Sequence, residues 1–243
     1  MMKFSIITVC LNSEKTIKRC LDSVANQTYI DFEHIVIDGV SNDKTLQIVG
    51  EFENVICVSE KDKGIYDAMN KGANIAKGEY VLFLNSDDEF LPNFLFECDK
   101  VIDGADFVSS AINMVFNNKV TKWTPKAINN NSFIWRMPIP HAGLIVKNSV
   151  FKEIGGFDLK FKITSDFDFV VKLFKGSYLG IYNEKGLFNF YMGGVSQDFK
   201  VLKENHKVRL KHFDNIFYVY LAYGLDYLRY VKYVLMNYSF TKS

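Results

Sequence analysis

The sequence predicts an α/β fold in which a doubly wound, mostly parallel sheet is followed by a helical segment at the C-terminus. Up to residue 105, short apolar runs rich in β-branched residues alternate with amphipathic stretches of helical period. This alternation is typical of parallel strands joined by right-handed helical crossovers. From about residue 200, an aromatic-rich stretch has apolar residues near helical spacing and predicts the C-terminal helices.

The first strand and helix set the pattern. Residues 4–9 form a β-branched apolar run of the kind that is buried on both faces of a parallel sheet. Asn12 and Ser13 offer helix-capping side chains, and apolar residues then recur at helical spacing from Ile17 to Val24. We therefore expect a strand followed by a helix before residue 28.

The following segments repeat this unit. We expect strands at 34–38, 55–58 and 80–84, and helices at 45–52 and 65–76. After residue 105 the alternation weakens. There we expect strands at 106–116 and 119–123, a break near Pro138 and Pro140, and helices at 148–154 and 166–174.

Composition and charge exclude several classes of protein. Hydrophobic residues make up 48% and charged residues 23% of the 243 residues, as in a folded globular chain. The net charge of +1 argues against non-specific attraction to nucleic acid, so no nucleic-acid partner is expected. Four cysteines without a C-x-x-C spacing predict buried, reduced thiols and no zinc site. No charged stretch followed by an apolar one opens the chain, which predicts a cytoplasmic location.

The strongest local signal is the run Asn85-Ser86-Asp87-Asp88, which comes directly after an apolar strand. Ligands bind to doubly wound sheets at the carboxyl ends of their strands. Clustered carboxylates there repel each other unless a cation or solvent compensates, and their hard oxygen atoms suit Mg²⁺ or Mn²⁺. The run therefore predicts a metal site, with a solvated turn as the alternative.

The loop after the second predicted strand, residues 38–45, has the same position and the same chemistry. Asp38 is placed to accept a hydrogen bond from a base imide or a ribose hydroxyl. Ser41 and Asp43 also have the side chains that cap a helix beginning near Thr45. Binding and capping are compatible, and both are expected here.

Taken together, these motifs resemble those of the inverting family 2 glycosyltransferases, which have the GT-A fold, a Rossmann-like doubly wound sheet. The resemblance covers about residues 3–200. The segments that carry it are the opening strand and helix at 3–28, the Asp-Gly-x-Ser-x-Asp-x-Thr loop within 35–45, the stretch 60–88 that begins Glu-Lys-Asp-Lys-Gly-Ile-Tyr-Asp-Ala-Met-Asn-Lys-Gly, His141, Gly155-Gly156-Phe157-Asp158 and Ser165-Asp166-Phe167-Asp168.

The resemblance implies a nucleotide-sugar donor, by the family's commonest pattern a UDP-sugar, held with a divalent cation, Mn²⁺ or Mg²⁺. It implies that Asp87 is the metal ligand and that Asp88 supports it through water. Asn85 stands where the family usually has the first acid of its D-x-D motif, which favours contact with ribose or phosphate over contact with metal. The residues implied to line the nucleotide-sugar pocket are Thr8, Asn12, Asp38, Asp62, Gly64, Asn85 and Ser86.

The resemblance also implies an inverting displacement with Asp166 as the general base. A position at the start of a helix suits this role, because the N-terminal dipole stabilises an ionised carboxylate that takes the proton of an acceptor hydroxyl. A plain helix N-cap is the alternative, and Ser165 stands where the family often has Glu. His141 is implied to contact the leaving diphosphate or the acceptor, and Trp135 is a candidate for stacking on a sugar. A structural histidine and a core tryptophan are the alternatives.

The implied acceptor is a hydroxyl of a glycan or of a saccharide carried on a polyprenyl diphosphate, in bacterial surface-polysaccharide biosynthesis. Two rival functions stay open. A nucleotidyltransferase also has carboxylates and magnesium at strand ends, but residues 9–13 are not the Gly-rich basic loop that it needs. A non-catalytic nucleotide-sugar-binding or membrane-scaffolding protein is compatible with the same fold.

We expect residues 1–200 to form the catalytic domain, with a nucleotide-sugar half at about 1–105 and an acceptor half at about 106–200. Residues 201–243 form a basic, aromatic segment: from 199 onwards there are eight Lys or Arg against three Asp or Glu. This composition suits peripheral contact with anionic headgroups at the inner face of the cell membrane. Packing on the catalytic domain or in a homodimer is the alternative. Charged residues within the segment argue against a spanning helix.

Overall fold

The computed structural model describes residues 2–117, 119–125, 132–135, 137, 139–185, 188–193 and 199–240, with the backbone alone for 233 and 236–240. Pro138 of the predicted break and the last three residues of the predicted C-terminal segment lie outside these ranges. Strands and helices alternate through the first part of the chain, as predicted. These elements are β1 (Phe4–Cys10), α1 (Ile17–Ala25), β2 (Phe32–Asp38), α2 (Thr45–Val49), β3 (Val55–Ser59), α3 (Ile65–Ile75) and β4 (Tyr80–Asn85).

The second part of the chain has shorter strands and more helix. Its elements are β5 (Glu89–Phe90), α4 (Phe94–Asp99), β6 (Phe107–Ser110), β7 (Ile112–Phe116), β8 (Lys119–Trp123), α5 (Ser132–Trp135), β9 (Leu144–Lys147), α6 (Asn148–Ile154), α7 (Ser165–Lys175), β10 (Gly180–Asn183), β11 (Phe188–Tyr191), α8 (Phe199–His212) and α9 (Ile216–Phe240). The predicted strands at 106–116 and 119–123 are confirmed, with a break at Ala111 between β6 and β7. So are the helices at 148–154 and 166–174.

The main sheet has seven strands in the order β10-β6-β9-β4-β1-β2-β3. β1 pairs in parallel with β2 on one side and with β4 on the other, and β3 pairs in parallel with β2. The carboxyl ends of these four strands therefore lie together along one side of the sheet, which we call its carboxyl edge. β9 runs antiparallel between β4 and β6, so the sheet is mostly parallel, as predicted.

Helices cover both faces of this sheet. All seven residues of β1 are buried, as the apolar run predicts. Its alternate side chains point to opposite faces. On one face Ile7 packs in a cluster that contains Met69 of α3 and Phe169 of α7. On the other face Phe4 packs in a cluster with residues of α1 and α4.

Two predicted helix ends differ from the structure. α2 ends at Val49 instead of residue 52, because Gly50, a poor helix former, follows it as the C-cap residue. Asn12 and Ser13 do not cap α1, whose N-cap residue, Thr16, makes no side-chain cap hydrogen bond. The predicted helix at 45–52 is therefore too long, and the predicted capping role of Asn12 and Ser13 is wrong.

Two further features depart from the sequence prediction. Cys57 is exposed, because it lies on β3, the last strand at one edge of the sheet; the other three cysteines are buried. A second, four-stranded sheet has the order β5-β11-β7-β8. Its strands β5 and β11 are two and four residues long, too short for a visible alternation in the sequence.

α8 packs on α7 through ion pairs around Asp168. This carboxylate is fully buried and lies 2.7 Å from Lys211 Nζ, 2.7 Å from His212 Nε2 and 2.9 Å from Lys172 Nζ. Burial alone raises the pKa of a carboxyl group, but these hydrogen bonds outweigh it and hold the pKa of Asp168 well below its usual value. Val208 of α8 belongs to the same core cluster as α7. The division of the chain near residue 200 stays a prediction.

α9 is 25 residues long and packs on α8 and α5. Arg209 is fully buried, and its guanidinium lies 2.7 Å from the Asp226 carboxylate, which joins α8 to α9. The outer side of α9 is apolar and exposed, with Phe217 at 72% and Leu228 at 64% of full exposure. Of the helices that the structure describes, none combines the length and apolar character needed to cross a membrane.

We expect Asp168→Asn to destabilise the protein, because it removes the charge shared by Lys172, Lys211 and His212. Breaking a buried ion pair costs roughly 3–5 kcal/mol, whereas an exposed pair contributes about 0–1 kcal/mol. The matched control is Asp22→Asn, which breaks an exposed pair of 2.9 Å with Lys18 on α1. Thermal denaturation followed by circular dichroism should show a lower midpoint for Asp168→Asn alone, and equal midpoints would contradict the prediction.

The lowered pKa of Asp168 predicts that its contribution to the free energy of unfolding depends on pH. The folded-state pKa of Asp168 is lowered, so its contribution is complete above the unfolded pKa of about 4 and is lost as the pH falls through the folded value. The stability difference between wild type and Asp168→Asn should therefore shrink as the pH falls below about 4. Urea denaturation at a series of pH values measures it, and a difference that does not change in acid would contradict it.

Candidate active site

The loops that follow β1 to β4 lie side by side at the carboxyl edge of the sheet. Asn12 N donates a hydrogen bond to Ser41 Oγ at 2.8 Å, and Asn42 N donates to Asn12 Oδ1 at 2.9 Å. The hydroxyls of Ser13 and Ser86 are 2.9 Å apart and join the first loop to the fourth. We call these four segments the strand-end loops: residues 11–14, 39–45, 60–64 and 85–88.

Asp38, the last residue of β2, anchors the second strand-end loop. It is fully buried, and its carboxylate accepts hydrogen bonds from Ser41 N at 3.0 Å, from Ser59 Oγ at 2.6 Å and from the Ser41 hydroxyl. Burial raises the pKa of a carboxyl group, but the bonds from Ser41 and Ser59 outweigh it and lower the pKa of Asp38. Both oxygens are occupied by the protein. Asp38 therefore holds the loop in place, and its position does not support the predicted contact with the nucleotide.

A glycine lets the third strand-end loop approach the second. A Cβ at Gly39 would lie 2.6 Å from Asp62 Oδ2, so a side chain there would push the Asp62 carboxylate out of its present position. Asp62 Oδ1 accepts a hydrogen bond from Gly64 N at 2.8 Å. Gly64 has a φ of 122°, which residues with a Cβ rarely adopt, and α3 begins at the next residue. Asp62 and Gly64 are therefore fixed at a helix N-terminus, where backbone N–H groups favour phosphate.

Backbone strain marks the first two loops. Asn12 has a φ of 52° and Val40 a φ of 66°. Asparagine tolerates this left-handed region, whereas a β-branched residue there costs about 1–3 kcal/mol. Such strain persists only where surrounding contacts fix the backbone, and it is concentrated at ligand sites. Here the hydrogen bonds of Asp38 to Ser41 supply those contacts.

The fourth strand-end loop carries the predicted metal ligands. Asp87 is half-buried; its carbonyl accepts a hydrogen bond from Arg19, and no described residue donates one to its carboxylate. Asn85 Oδ1 is buried and has no hydrogen-bond partner among the described residues. These two oxygen groups fit a hard cation. Nowhere in the described ranges do three or more His, Cys, Asp or Glu side chains form a metal-holding group, so a cation here needs phosphate and water oxygens as well.

Asp88 has a different setting from the predicted one. It is 1% exposed; its Oδ1 accepts a hydrogen bond from Tyr191 N at 2.9 Å and its Oδ2 accepts one from Asn85 Nδ2 at 3.3 Å. Burial raises the pKa of Asp88 to about 8. The carboxylate faces β11 and is closed to solvent, which argues against a part in metal binding. Its contacts attach the fourth strand-end loop to the second sheet.

Asp166 lies in the first turn of α7, against the first turn of α3. Its Oδ1 accepts hydrogen bonds from Phe167 N and from the Tyr66 hydroxyl, both at 2.9 Å. The single hydroxyl proton of Tyr66 is shared with Ile163 O, which lies 2.7 Å from the hydroxyl oxygen. Burial, and then the charge of Asp166, raise the pKa of Tyr66 well above its ordinary value, so the tyrosine stays protonated and donates. Among described residues, none bonds to Asp166 Oδ2, which is left to accept a further hydrogen bond.

His141 lies among aromatic rings close to Asp166. Its ring stacks on Phe83 with centroids 5.5 Å apart and meets the edge of Phe157 at 5.2 Å. Burial lowers the pKa of His141, and the negative charge of Asp166 acts in the opposite direction. The structure therefore brings His141 and Asp166 together, with a lowered pKa that favours the neutral imidazole.

Two other predicted site residues make contacts within the protein. Thr8 is fully buried and its Oγ1 lies 2.9 Å from His34 Nε2, so its side chain is held inside the sheet, and its place in the nucleotide pocket stays a prediction. The Trp135 ring meets the edge of Tyr218 on α9 with centroids 5.8 Å apart. This packing supports the structural alternative for Trp135 over stacking on a sugar.

Three residues at the site have no role in the sequence prediction: Arg19, Tyr66 and Glu204. Tyr66 stands two residues after Gly64 in the motif that carries the resemblance, so its place beside the third strand-end loop was a usable signal. Arg19 and Glu204 are remote in sequence from the residues that they contact, and no local pattern links them to the site.

Comparisons with known proteins agree on one family. A family model described as glycosyl transferase family 2 matches residues 5–169. A PGL/p-HBAD biosynthesis glycosyltransferase of Mycobacterium bovis is 32% identical over 187 residues, which cover 72% of this chain and 71% of the relative. An uncharacterized glycosyltransferase of Haemophilus influenzae is 26% identical over 182 residues, which cover 70% of this chain and 61% of the relative.

Solved structures share the fold. S. aureus TarS 1-349, also solved in complex with UDP, is 25% identical with a TM-score of 0.69 over 87% of this chain and 66% of that chain. A mannosyltransferase of Pyrobaculum calidifontis in complex with GDP-Man and Mn²⁺ is 19% identical, a likeness of fold alone, with a TM-score of 0.61 over 86% of this chain and 61% of that chain. This chain thus spans less than two thirds of these solved chains. The family match over most of its length, together with the parallel sheet, shows that the chain belongs to glycosyl transferase family 2 and has the GT-A fold.

Proposed function

We propose that this chain transfers a sugar from a UDP-sugar to a hydroxyl of a glycan or lipid-linked saccharide, with inversion at the anomeric carbon. The observation that carries the proposal is the pairing of Asp166 with Tyr66, which leaves one carboxylate oxygen unbonded by described residues next to the N-terminus of α3. The UDP complex of TarS supports a uridine donor. The name of the mycobacterial relative supports a biosynthetic role, in agreement with surface-polysaccharide assembly in a bacterium.

The donor occupies the strand-end loops. Asn12, Asp62, Gly64 and Ser86 lie on these loops and are not enclosed by the sheet, so they are the residues we assign to the nucleotide-sugar. The N-terminus of α3 beside Gly64 offers backbone N–H groups to the diphosphate. Asp38 acts from behind the loops by fixing their backbone.

Asp87 and Asn85 are the residues that would hold a Mn²⁺ or Mg²⁺ ion, since their side-chain oxygen atoms are unpaired among described residues. When bound, the cation offsets the negative charge that develops on the leaving diphosphate. Arg19 holds the carbonyl of Asp87 and so fixes the direction of the loop.

Asp166 is the general base. Tyr66 and Phe167 N bond to Oδ1, which directs Oδ2 toward the acceptor hydroxyl, whose proton it takes as that oxygen attacks the anomeric carbon. His141, with its lowered pKa, is a neutral hydrogen-bonding group for the diphosphate or the acceptor.

We place the chain at an anionic membrane surface through the outer side of α9. Phe217 and Leu228 are exposed there, and Lys203, Lys207 and Lys232 are exposed on α8 and α9. Aromatic side chains favour the headgroup boundary and basic ones are attracted to anionic lipid. A lipid-linked acceptor would be presented at the same surface.

Asp87→Ala is expected to abolish transfer and to weaken Mn²⁺-dependent binding of UDP, because no other carboxylate of its loop is open to a cation. The control is Asp103→Ala, which removes an exposed acid on the side of the sheet opposite its carboxyl edge. Transfer is measured with a panel of UDP-sugars, and UDP binding by calorimetry with Mn²⁺ or with a chelator. Full activity with unchanged metal dependence in Asp87→Ala would sink the assignment.

Asp166→Asn should lower turnover by about 100-fold or more while UDP binding survives. Asparagine keeps an oxygen that accepts the bonds from Tyr66 and Phe167 N, so the loss isolates the proton-accepting oxygen. Initial rates and calorimetry on the same preparations measure both quantities. Turnover within about tenfold of wild type would mean that another group is the base.

Phe217→Ser with Leu228→Ser should reduce sedimentation with anionic liposomes and leave UDP binding unchanged. Point substitutions are preferred to truncation near residue 205, because truncation would also remove the buried Val208 and Arg209. The control is Ile30→Ser, since Ile30 is 89% exposed on another surface. Equal sedimentation of all variants would refute the membrane role. The role would also be refuted if the wild type is a dimer and the double substitution makes it a monomer without any change in sedimentation.

A further inference from the structure

A single side chain of α8 binds the backbone of the segment before α7. Three consecutive backbone groups donate hydrogen bonds to Glu204: Lys162 N to Oε1 at 3.1 Å, and Ile163 N and Thr164 N to Oε2 at 2.8 and 3.1 Å. The Thr164 hydroxyl lies 3.4 Å from the same Oε2. Residues 162–164 precede the first helical residue, Ser165, so one carboxylate satisfies donors that have no partner within the helix.

Asp166 follows this segment by two residues and shares a neighbour with it. The Tyr66 hydroxyl lies 2.7 Å from Ile163 O and 2.9 Å from Asp166 Oδ1. Ile163 is thus bonded through its N–H to α8 and through its carbonyl to α3. Without Glu204, the N–H groups of residues 162–164 have no acceptor among the described residues, and the side chains of Tyr66, Ser165 and Lys162 are left to hold the approach to α7.

Ion pairs hold the other end of α8 against α7 and the loop before it, which helps to define the position of Glu204. Lys211 Nζ lies 3.0 Å from Asp158 Oδ2 and 2.7 Å from Asp168 Oδ1. His212 contacts the same Asp168 oxygen at 2.7 Å. α8 therefore contacts residues 162–164, which precede Asp166 in the sequence, and Asp168, which follows it.

We propose that Glu204 is a positioning residue that orients Asp166 by fixing residues 162–164. The proposal rests on the proposed role of Asp166 as the base. Glu204 lies outside residues 5–169, which the family model matches, so this contribution comes from the C-terminal helices of this chain. A carboxylate is needed because both of its oxygens accept, whereas a glutamine would turn an N–H₂ group toward a backbone N–H. Displacement of a reacting group by about 1 Å costs about 100-fold in rate.

The test is Glu204→Gln in the full chain, assayed as release of UDP from whichever UDP-hexose or UDP-N-acetylhexosamine wild type turns over with Mn²⁺. We expect kcat to fall about tenfold or more, with the KM for the UDP-sugar within about twofold of wild type. The matched control is Asp226→Asn, which breaks the buried 2.7 Å pair with Arg209 between α8 and α9 and has no contact with residues 162–164. It should lower the thermal midpoint and leave kcat near wild type.

A double-mutant cycle with Asp166→Asn separates positioning from general damage. If Glu204 acts through Asp166, the double variant has the kcat of Asp166→Asn alone; multiplied losses would overturn the proposal. If Asp166→Asn loses activity but Glu204→Gln and Asp226→Asn have equal kcat, the positioning role of Glu204 is overturned. The proposed function then still stands. An active Asp166→Asn would overturn both. If Glu204→Gln does not fold, Glu204→Asp, which keeps the charge but withdraws the carboxylate by one methylene, takes its place with the same expectations.

Discussion

β1 pairs in parallel with β2 and with β4, and the register of these two ladders decides where the polar ends of the strands meet. Cys10 lies opposite Asp38, and Val9 lies opposite Asn85, so the three strands end within one residue of each other. A slip of one residue would turn the apolar side chains of β1 to the wrong faces of a sheet that is buried on both sides. The packing that stabilises the core therefore also aligns the strand-end loops.

The carboxylates of the site fall into two groups that differ in whether their oxygens are used by the protein. Asp38 and Asp88 are buried, and every oxygen of theirs accepts hydrogen bonds from the chain. Glu204 belongs to the same group, although it comes from a distant helix. Asp87 and one oxygen of Asp166 are left unbonded by described residues. The first group fixes backbone, and the second is available to a ligand, so motif membership alone does not tell the two apart.

The sequence was sufficient for the fold class and for the edge of the sheet at which polar residues meet, because strand and helix periods are local. The period of two also held a signal about Thr8: it lies on the same face of β1 as Phe4 and Ile6, which are buried. The settings of Trp135 and Glu204 depend on how α8 and α9 dock, and the setting of Asp88 depends on its contact with β11. These are contacts between residues far apart in the chain, which no local pattern encodes.

The contact between Glu204 on α8 and the backbone before α7 has a consequence for synthesis of the chain on the ribosome. The strand-end loops have their mutual partners once residue 88 has emerged, whereas Ile163 N waits for a carboxylate that follows it by 41 residues. The N-terminal part of a chain leaves the ribosome first. A nascent chain therefore passes through a stage in which all four strand-end loops have emerged and the carboxylate that fixes the approach to α7 has not. In the order of emergence, the residues that we assign to the nucleotide-sugar precede the group that locks the approach to the helix that carries Asp166.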